Sequence, residues 1–243
     1  RSHAPMFRTL PTLIAAQPPA RLAPLDSFAG SLGQRVYLSL KEAIMTLAYS
    51  PGEFLRKAEV CDTLGVSRSP VADAVARLAV EGLVRVMPQA GTYVARFSMT
   101  EIREGAFMRE AIELQAVELV AETATVPDIA RLRDCLDRQA DLVAAGNTPD
   151  FYAEDAKMHE AILSMTGFRR LPHMSATAWL QVNRARRLIL PVPGRGQATL
   201  EEHRRIIDAI AAHDPDAARA AVRAHLRQLI RYLEPLERER PEL

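Results

Sequence analysis

The stretch Leu64-Gly65-Val66-Ser67-Arg68-Ser69-Pro70-Val71 decides the fold of the first part of this 243-residue chain. Gly65 fits the position just after a helix, and Ser67 or Ser69 fits the cap of the next one, whose first turn tolerates Pro70. Two helices joined by so tight a turn are typical of a helix-turn-helix. Taken alone, the stretch is equally compatible with a plain helix cap in a small helical domain.

The flanking sequence adds the other parts of a DNA-binding fold. Upstream, apolar residues recur at helical spacing until Ser50-Pro51-Gly52 stops the pattern, and a second helix is predicted over Lys57–Leu64. Downstream, β-rich pieces at residues 83–87 and 92–95 flank a turn, which predicts a hairpin. Three helices followed by a hairpin predict a winged helix-turn-helix.

Beyond residue 97 the pattern is helical throughout. Six amphipathic segments follow one another, at residues 101–123, 127–145, 149–166, 168–190, 199–213 and 215–238. Short connections between them predict a bundle whose neighbouring helices run antiparallel. The predicted fold class is therefore mainly α, with a flexible N-terminal arm (1–30), a winged helix-turn-helix (31–97) and an all-α ligand-binding and dimerisation domain of six or seven helices (98–240).

Composition narrows the class of protein. Hydrophobic residues make up 48% and charged residues 25%, as in ordinary globular chains. No apolar run approaches the roughly 20 residues that span a bilayer, and no signal peptide opens the chain. Cys61 and Cys135 are far apart and are expected to be reduced thiols. These features predict a cytoplasmic protein that has no membrane partner.

The third helix is the predicted DNA-reading element. A recognition helix packs its apolar face on its own domain and presents its N-terminal residues to the major groove. Val75 and Leu78 belong to the apolar face, which leaves Ser67, Arg68 and Ser69 for DNA. An arginine can pair with a guanine edge or a phosphate, and serines can donate to phosphate.

Four residues in the helical part form a candidate metal site. Asp155 and His159 are four positions apart in a helical segment and so share a face. His203 and His225 lie eleven residues either side of Asp214, which reads as the turn of a helical hairpin, so they reach the same height. One acid and three imidazoles suit Zn²⁺, Ni²⁺, Mn²⁺ or Fe²⁺. The spacing alone leaves open that they are ordinary surface or core residues.

Arg109 is a candidate for ligand binding. The helix around it is apolar, and an arginine directed into an apolar interior needs an anionic partner. A small organic acid held bidentately would supply that partner. An ion pair with Glu113 or Asp155 is the alternative interpretation.

The fourth helical segment supplies further candidates. Asn183 and Arg187 are one helical turn apart and are predicted for the wall of the same pocket. The neighbouring Arg184 and Arg186 are expected to be solvated.

Several local motifs together resemble the GntR family of regulators. The opening stretch, Arg77-Leu78, Glu81-Gly82-Leu83-Val84 and Gly91-Thr92-Tyr93-Val94 resemble its DNA-binding domain, as does Tyr49-Ser50-Pro51-Gly52-Glu53-Phe54-Leu55 ahead of the second helix. The helical part resembles the FCD ligand-binding domain of the fatty-acid-regulator-like branch. Together the resemblance covers about residues 33–235.

The resemblance implies roles for particular residues. The DNA-binding set comprises Arg56, Lys57, Ser67, Arg68, Ser69, Arg77 and Gly91. Asp155, His159, His203 and His225 match the metal-binding positions of FCD domains one by one, and Arg109 matches an arginine that faces the ligand pocket. Two departures, Ala72 and Ala90, stand where the family commonly has basic residues, and each missing cation lowers the salt dependence of DNA binding by about one unit.

The function that follows is a regulator of transcription and not an enzyme. We expect a homodimer that binds a palindromic double-stranded operator and whose helical domain takes up a divalent metal ion and a small organic acid. Two other functions are compatible with the residues. One is a metal-dependent helical enzyme fused to a nucleic-acid-binding module, and the other is an architectural DNA-binding protein without metal.

Overall fold

The computed structural model describes residues 21–189 and 191–239. The chain divides into two compact units, with the boundary between Val94 and Ala95. The predicted boundary was three residues further along. Across the described ranges, no helix has the length and apolarity needed to cross a membrane.

The first unit is a winged helix-turn-helix, as predicted. Its elements are α1 (Leu32–Met45), α2 (Lys57–Leu64), α3 (Arg68–Val80), β1 (Val84–Met87) and β2 (Gly91–Val94). The two strands pair antiparallel, with Val84 opposite Val94, and Phe54 forms an isolated bridge to Tyr93 on the free side of β2. The α2 bounds agree with the prediction, and Gly65 ends this helix in the left-handed conformation that glycine adopts without strain.

The core of this unit lies between α1 and α3. Val36, Leu40 and Ile44 recur at helical spacing on α1 and are fully buried. Val71 and Leu78 on α3 are fully buried as well, so the predicted apolar face of the recognition helix packs inward. The N-terminal end of α3 is thereby left at the surface.

Residues 21–30 differ from the predicted flexible arm because they pack on the first unit. Leu22 is 4% exposed, the Ser39 hydroxyl donates to the Ala23 carbonyl at 2.8 Å, and Arg21 pairs with Glu53. A short 3-10 helix follows at Leu25–Ser27. The rest of the predicted arm, residues 1–20, lies outside the described residues.

The second unit is a helical bundle. Its elements are α4 (Met99–Thr123), α5 (Val126–Ala144), α6 (Thr148–Met165), α7 (Arg170–Ala178), α8 (Leu180–Ile189), α9 (Arg195–Ala211), α10 (Pro215–Leu226) and α11 (Gln228–Glu239). The six predicted segments thus become eight helices in the described part, because Trp179 and Arg227 each interrupt one of them by a single residue.

Local sequence fixes where several of these helices begin. Thr125 and Asp128 form a reciprocal capping box at the start of α5. Asp214 accepts the Ala217 amide proton and precedes Pro215, so α10 begins with a cap and a proline in its first turn. The cap places α9 and α10 as the two arms of a hairpin, as the spacing about Asp214 predicted.

Helices α4 and α8 approach each other closely at Gly105. A β-carbon at this position would lie 2.8 Å from Cγ2 of Val182, closer than carbon atoms normally pack. Residues 109 and 186 follow one turn after these two positions. Arg109 on α4 and Arg186 on α8 both line the same cavity of the bundle.

Candidate nucleic-acid interface and metal centre

The N-terminal end of α3 is an open polar surface. Ser67, Arg68 and Ser69 are all exposed. Ser67 occupies the N-cap position, yet its side chain makes no capping hydrogen bond. The free amide groups at a helix N-terminus favour an anion such as a phosphate. The three residues predicted from the turn motif therefore lie together where a phosphate could bind.

The remaining DNA-binding candidates lie in two settings. Arg56 and Lys57 are exposed at the start of α2, where Arg56 pairs with Glu59 at 3.2 Å. Arg77 is held against α1, since its guanidinium carbon lies 3.7 Å from the ring centre of Tyr37 and it donates to Gln34 at 2.7 Å. We conclude that Arg77 also has a structural role in the first unit.

Gly91 has a local structural reason to be glycine. Its φ is +111°, and a β-carbon there would lie 2.2 Å from the Phe54 ring. The hairpin turn before it contains Gln89, which also has a positive φ. The glycine lets the Phe54 ring pack against the start of β2, next to the hairpin turn.

The four metal candidates converge inside the second unit. Helix α6 carries Asp155 and His159, α9 carries His203 and α10 carries His225. All four are buried, and one possible ligand atom from each lies within 4.8 Å of the others. The Nε2 atoms of His159 and His225 are 3.2 Å apart. The predicted quartet is therefore one cluster in the structure.

Each histidine is oriented by an acceptor behind it, which is buried for His159 and His203 and half-buried for His225. His159 Nδ1 is 2.7 Å from Glu113. His203 Nδ1 is 2.7 Å from Gln139 Oε1, and His225 Nδ1 is 2.7 Å from Glu202. With the proton on Nδ1 donated outward, the unprotonated Nε2 of each ring faces the cluster. An outer partner of this kind fixes the tautomer and orientation of metal-binding histidines.

Two atoms inside the cluster lack a hydrogen-bond partner. Asp155 Oδ1 and His203 Nε2 are 3.3 Å apart, but their alignment does not make a hydrogen bond, and both are buried without one. Such a pair is costly in a protein interior unless a further group satisfies it. Unprotonated nitrogens facing a carboxylate oxygen form a set of acceptors that a divalent cation fits.

The pKa shifts favour ligand forms of these side chains. Burial lowers the pKa of His203 and also that of His225, which lies at about 4 although the hydrogen bond to Glu202 raises it. Burial alone would raise the pKa of Asp155, but the Arg186 guanidinium and, to a smaller extent, the neighbouring histidines together hold this pKa well below its ordinary value. At neutral pH both imidazoles are therefore neutral and the carboxylate is ionised, as metal binding requires.

Three arginines line a small cavity beside the cluster. The cavity has a volume of about 30 Å³, and its polar lining comprises Arg109, Arg186, Arg195, Thr199 and His225. Arg109 donates to Glu113 at 2.5 Å, so one predicted alternative for its partner is present. Arg195 donates to both oxygens of Glu202, at 2.7 and 2.8 Å. Arg186 pairs with Asp155.

The expectation that Arg184 and Arg186 are solvated is wrong. Arg184 is fully buried, and Arg186 is 7% exposed. One Arg184 nitrogen donates to the Ala95 carbonyl at 2.7 Å, and the Phe97 ring lies beneath its guanidinium. Burial lowers the pKa of Arg184 to about 10. Helix α8 buries residues on several faces, so no face was left for either side chain in water.

Asn183 and Arg187 lie beside Tyr152. The Tyr152 hydroxyl donates to the Asn183 carbonyl, and the Arg187 guanidinium lies 4.0 Å from the Tyr152 ring centre. Neither residue is among the described residues that line the cavity beside the cluster.

Sequence reasoning missed four residues of the centre, namely Gln139, Arg186, Arg195 and Glu202, and it named Glu113 only as a partner of Arg109. Gln139 carried a usable signal, since it follows Leu132, Cys135 and Leu136 on the apolar face of α5 at helical spacing. A polar residue on such a face requires a buried partner.

This combination of a winged helix-turn-helix with a buried His/Asp cluster in a helical bundle defines the chain as a DNA-binding transcription regulator. Residues 32–94 match the family described as bacterial regulatory proteins, gntR family, and residues 104–228 match the FCD domain. The chain belongs to the GntR family and carries an FCD domain. The family and the related proteins are regulators, which confirms that the chain is not an enzyme.

Individual relatives agree with this assignment. The chain is 33% identical over 210 residues to an uncharacterized HTH-type transcriptional regulator in an unstable DNA locus of Streptomyces ambofaciens, covering 86% of this chain and 87% of that one. It is 27% identical to the HTH-type transcriptional repressor RspR of Escherichia coli K12, over 86% of this chain and 91% of that protein.

Solved structures show the same fold. The structure of E. coli McbR/YncC has a TM-score of 0.74 at 23% identity, over 86% of this chain and 99% of that one. A GntR-type regulator from Rhodococcus sp. RHA1 has a TM-score of 0.71 at 23% identity, over 83% and 98%.

Proposed function

We propose that the second unit binds one divalent metal ion and a small carboxylate, and that this binding alters the affinity of the first unit for its operator. The carrying observation is the orientation of three buried imidazoles, each turned by an outer acceptor so that its Nε2 faces Asp155. Apolar residues at these positions would stabilise the fold at least as well, so the array points to a ligand.

The proposed ligands are Asp155, His159, His203 and His225. Nitrogen and oxygen donors of this kind suit Zn²⁺, Ni²⁺, Mn²⁺ or Fe²⁺. When bound, the ion would supply a cation to which an effector carboxylate can coordinate. The protein residues Glu113, Gln139 and Glu202 would hold the imidazoles in place for it.

The proposed effector site is the cavity beside the cluster. Arg109 lines it, and a guanidinium can hold a carboxylate bidentately. The Thr199 hydroxyl in the same lining is buried without a hydrogen-bond partner among the described residues, so it can donate to an incoming anion. We place Asn183 and Arg187 in the outer wall, since Tyr152 joins them to the helix of Asp155.

The first unit would bind the operator through its exposed residues. Ser67, Arg68 and Ser69 would meet the DNA at the N-terminal end of α3, with Arg56 and Lys57 on the adjoining surface and Gly91 in the wing. Arg77 would act more indirectly, by holding α3 on α1. A protein that binds an operator in bacterial chromosomal DNA would be located in the cytoplasm.

We further propose a homodimer that binds a palindromic operator. A groove of about 350 Å³ lies along α4 and the last two helices, and the Phe107 side chain beside it is 77% exposed. Exposed apolar surface of this kind marks protein interfaces. Sedimentation would report twice the mass of the chain, and a two-fold dimer would require two half-sites.

The decisive experiment removes single ligands from the full chain. We expect wild-type protein, after loading and gel filtration, to retain about one ion per chain by elemental mass spectrometry, and His203→Ala or His225→Ala to retain none. The control is His213→Asn, because His213 is exposed and lies outside the cluster. Equal metal content in all four proteins would contradict the metal site.

The second part of the experiment concerns the effector. Metal-loaded wild type should change its operator affinity with at least one of acetate, lactate, succinate and citrate, and His225→Ala should not respond. Only a ligand whose affinity differs between two states of the protein can produce such a change. Equal responses of both proteins would contradict the sensing role.

A further inference from the structure

Arg186 differs from the other two arginines of the centre. Arg109 and Arg195 pair with Glu113 and Glu202, which lie behind the histidines and remain available after a metal has bound. Arg186 instead pairs with Asp155, which is itself a proposed ligand. A metal bound at the cluster and the guanidinium of Arg186 would therefore compete for the same carboxylate, that of Asp155.

The pairing is also balanced in charge. Three buried arginines meet three buried or half-buried carboxylates, one to one, and metal binding requires neutral imidazoles. A divalent ion would add two positive charges to a neutral, desolvated centre. A desolvated excess of charge is costly until a counter-ion arrives.

We infer that Arg186 is an internal cation that occupies Asp155 in the metal-free protein and that, once a metal takes this carboxylate, binds the anionic effector. The inference rests on the proposed function of the cluster. It assigns to Arg186 a role in coupling the two ligands, so that metal and effector bind cooperatively.

The geometry supports both halves of this role. Asp155 is fully buried, so without metal it needs a cation in contact, and Arg186 is the cation within reach among the described residues. Arg186 also lines the cavity together with Arg109 and Thr199. A guanidinium released from Asp155 is already at the wall where a carboxylate would enter.

The first test measures metal affinity without an effector, by competition with a chelating dye in the full, chelator-treated chain. We expect Arg186→Met to bind Ni²⁺ or Zn²⁺ about tenfold more tightly than wild type, since the metal no longer displaces a cation. The rise in melting temperature on adding metal should also be larger, because Asp155 then has no other counter-ion. Arg133→Met, a change at an exposed arginine of α5, should match wild type.

The second test adds acetate as the probe anion, with sodium chloride at equal ionic strength as its control. Acetate should tighten metal binding by wild type by about tenfold and leave Arg186→Met unchanged. Arg186→Lys keeps a cation and should retain part of this coupling. It also serves as the second variant should Arg186→Met fold only with metal.

The outcomes separate the two proposals. Unchanged or weaker metal binding by Arg186→Met, or equal acetate effects in wild type and Arg186→Met, would overturn the role of Arg186 while the metal site stands. A wild-type chain that takes up no metal would overturn the proposed function and this inference together.

Discussion

The two units use polar residues in opposite ways. In the first unit the DNA-binding candidates Arg56, Lys57, Ser67, Arg68 and Ser69 are exposed to solvent. In the second, all four metal candidates are at most 5% exposed, and each contacts a buried partner. Charges in water act nearly independently and are screened by salt, whereas desolvated groups depend on one another. Changes in the second unit should therefore have larger effects than changes in the first.

The largest difference is expected from a residue that touches no ligand. Gln139→Leu keeps the volume of the fully buried side chain but removes the acceptor of His203 Nδ1–H. We expect metal affinity to fall by about 10- to 100-fold in a competition titration, with operator affinity of the metal-free protein unchanged. Gln115→Leu, at an exposed position of α4, is the matched control. Wild-type metal affinity in Gln139→Leu would show that the outer acceptors are dispensable.

The burial of His225 should also make the stability of the second unit depend on pH. The pKa of His225 is 6.5 in an unfolded chain and about 4 in the folded one, so the unfolded state takes up this proton first. The contribution of His225 to the free energy of unfolding is complete above pH 6.5 and is lost as the pH falls toward 4. At pH 5 the loss is about 2 kcal/mol from this group. Denaturant unfolding of chelator-treated protein, followed by the fluorescence of Trp179, measures it in the second unit.

The control for this measurement is His225→Gln. The variant has no imidazole to protonate at this position, so its stability should decrease less between pH 7 and pH 5. A decrease equal to that of wild type would mean that other groups produce the acid sensitivity.

The smallest effect is expected from a single exposed charge. Arg68→Ala should lower affinity for a duplex selected from a random library by about tenfold, and lower the slope of log affinity against log salt by about one. Metal uptake should be unchanged, since Arg68 lies in the other unit. Arg133→Ala provides the comparison for loss of an arginine elsewhere. An unaltered affinity would remove Arg68 from the interface.

The same contrast explains what the sequence could predict. The first unit follows from local signals: Gly65, Ser67 and Pro70 mark the ends of α2 and α3 within a few residues of one another. The convergence of the four candidate ligands was predictable because helical spacing and one hairpin relate them. The helices that carry these residues begin at caps, such as Asp214, which are equally local signals in the sequence.

The supporting residues depend on contacts between distant helices. Arg186 reaches Asp155 across 31 positions, and Gln139 reaches His203 across 64. Arg184 and Arg186 are two positions apart and so point to different sides of α8. A helix with one exposed face would leave at least one of them in water, and the sequence of α8 does not reveal that it is covered on several sides.

Gly105 sets the spacing between α4 and α8, and each of these helices contributes an arginine to the cavity beside the cluster. Its hydrogen atom stands where any other residue would place a methyl group against Val182 and push α8 away from α4. The side chain that would have to move is Val182, which is 1% exposed and lies one turn before Arg186 on α8. The absence of a side chain at residue 105 thus lets α4 and α8 pack in contact, and these are the two helices that carry Arg109 and Arg186 to one cavity wall.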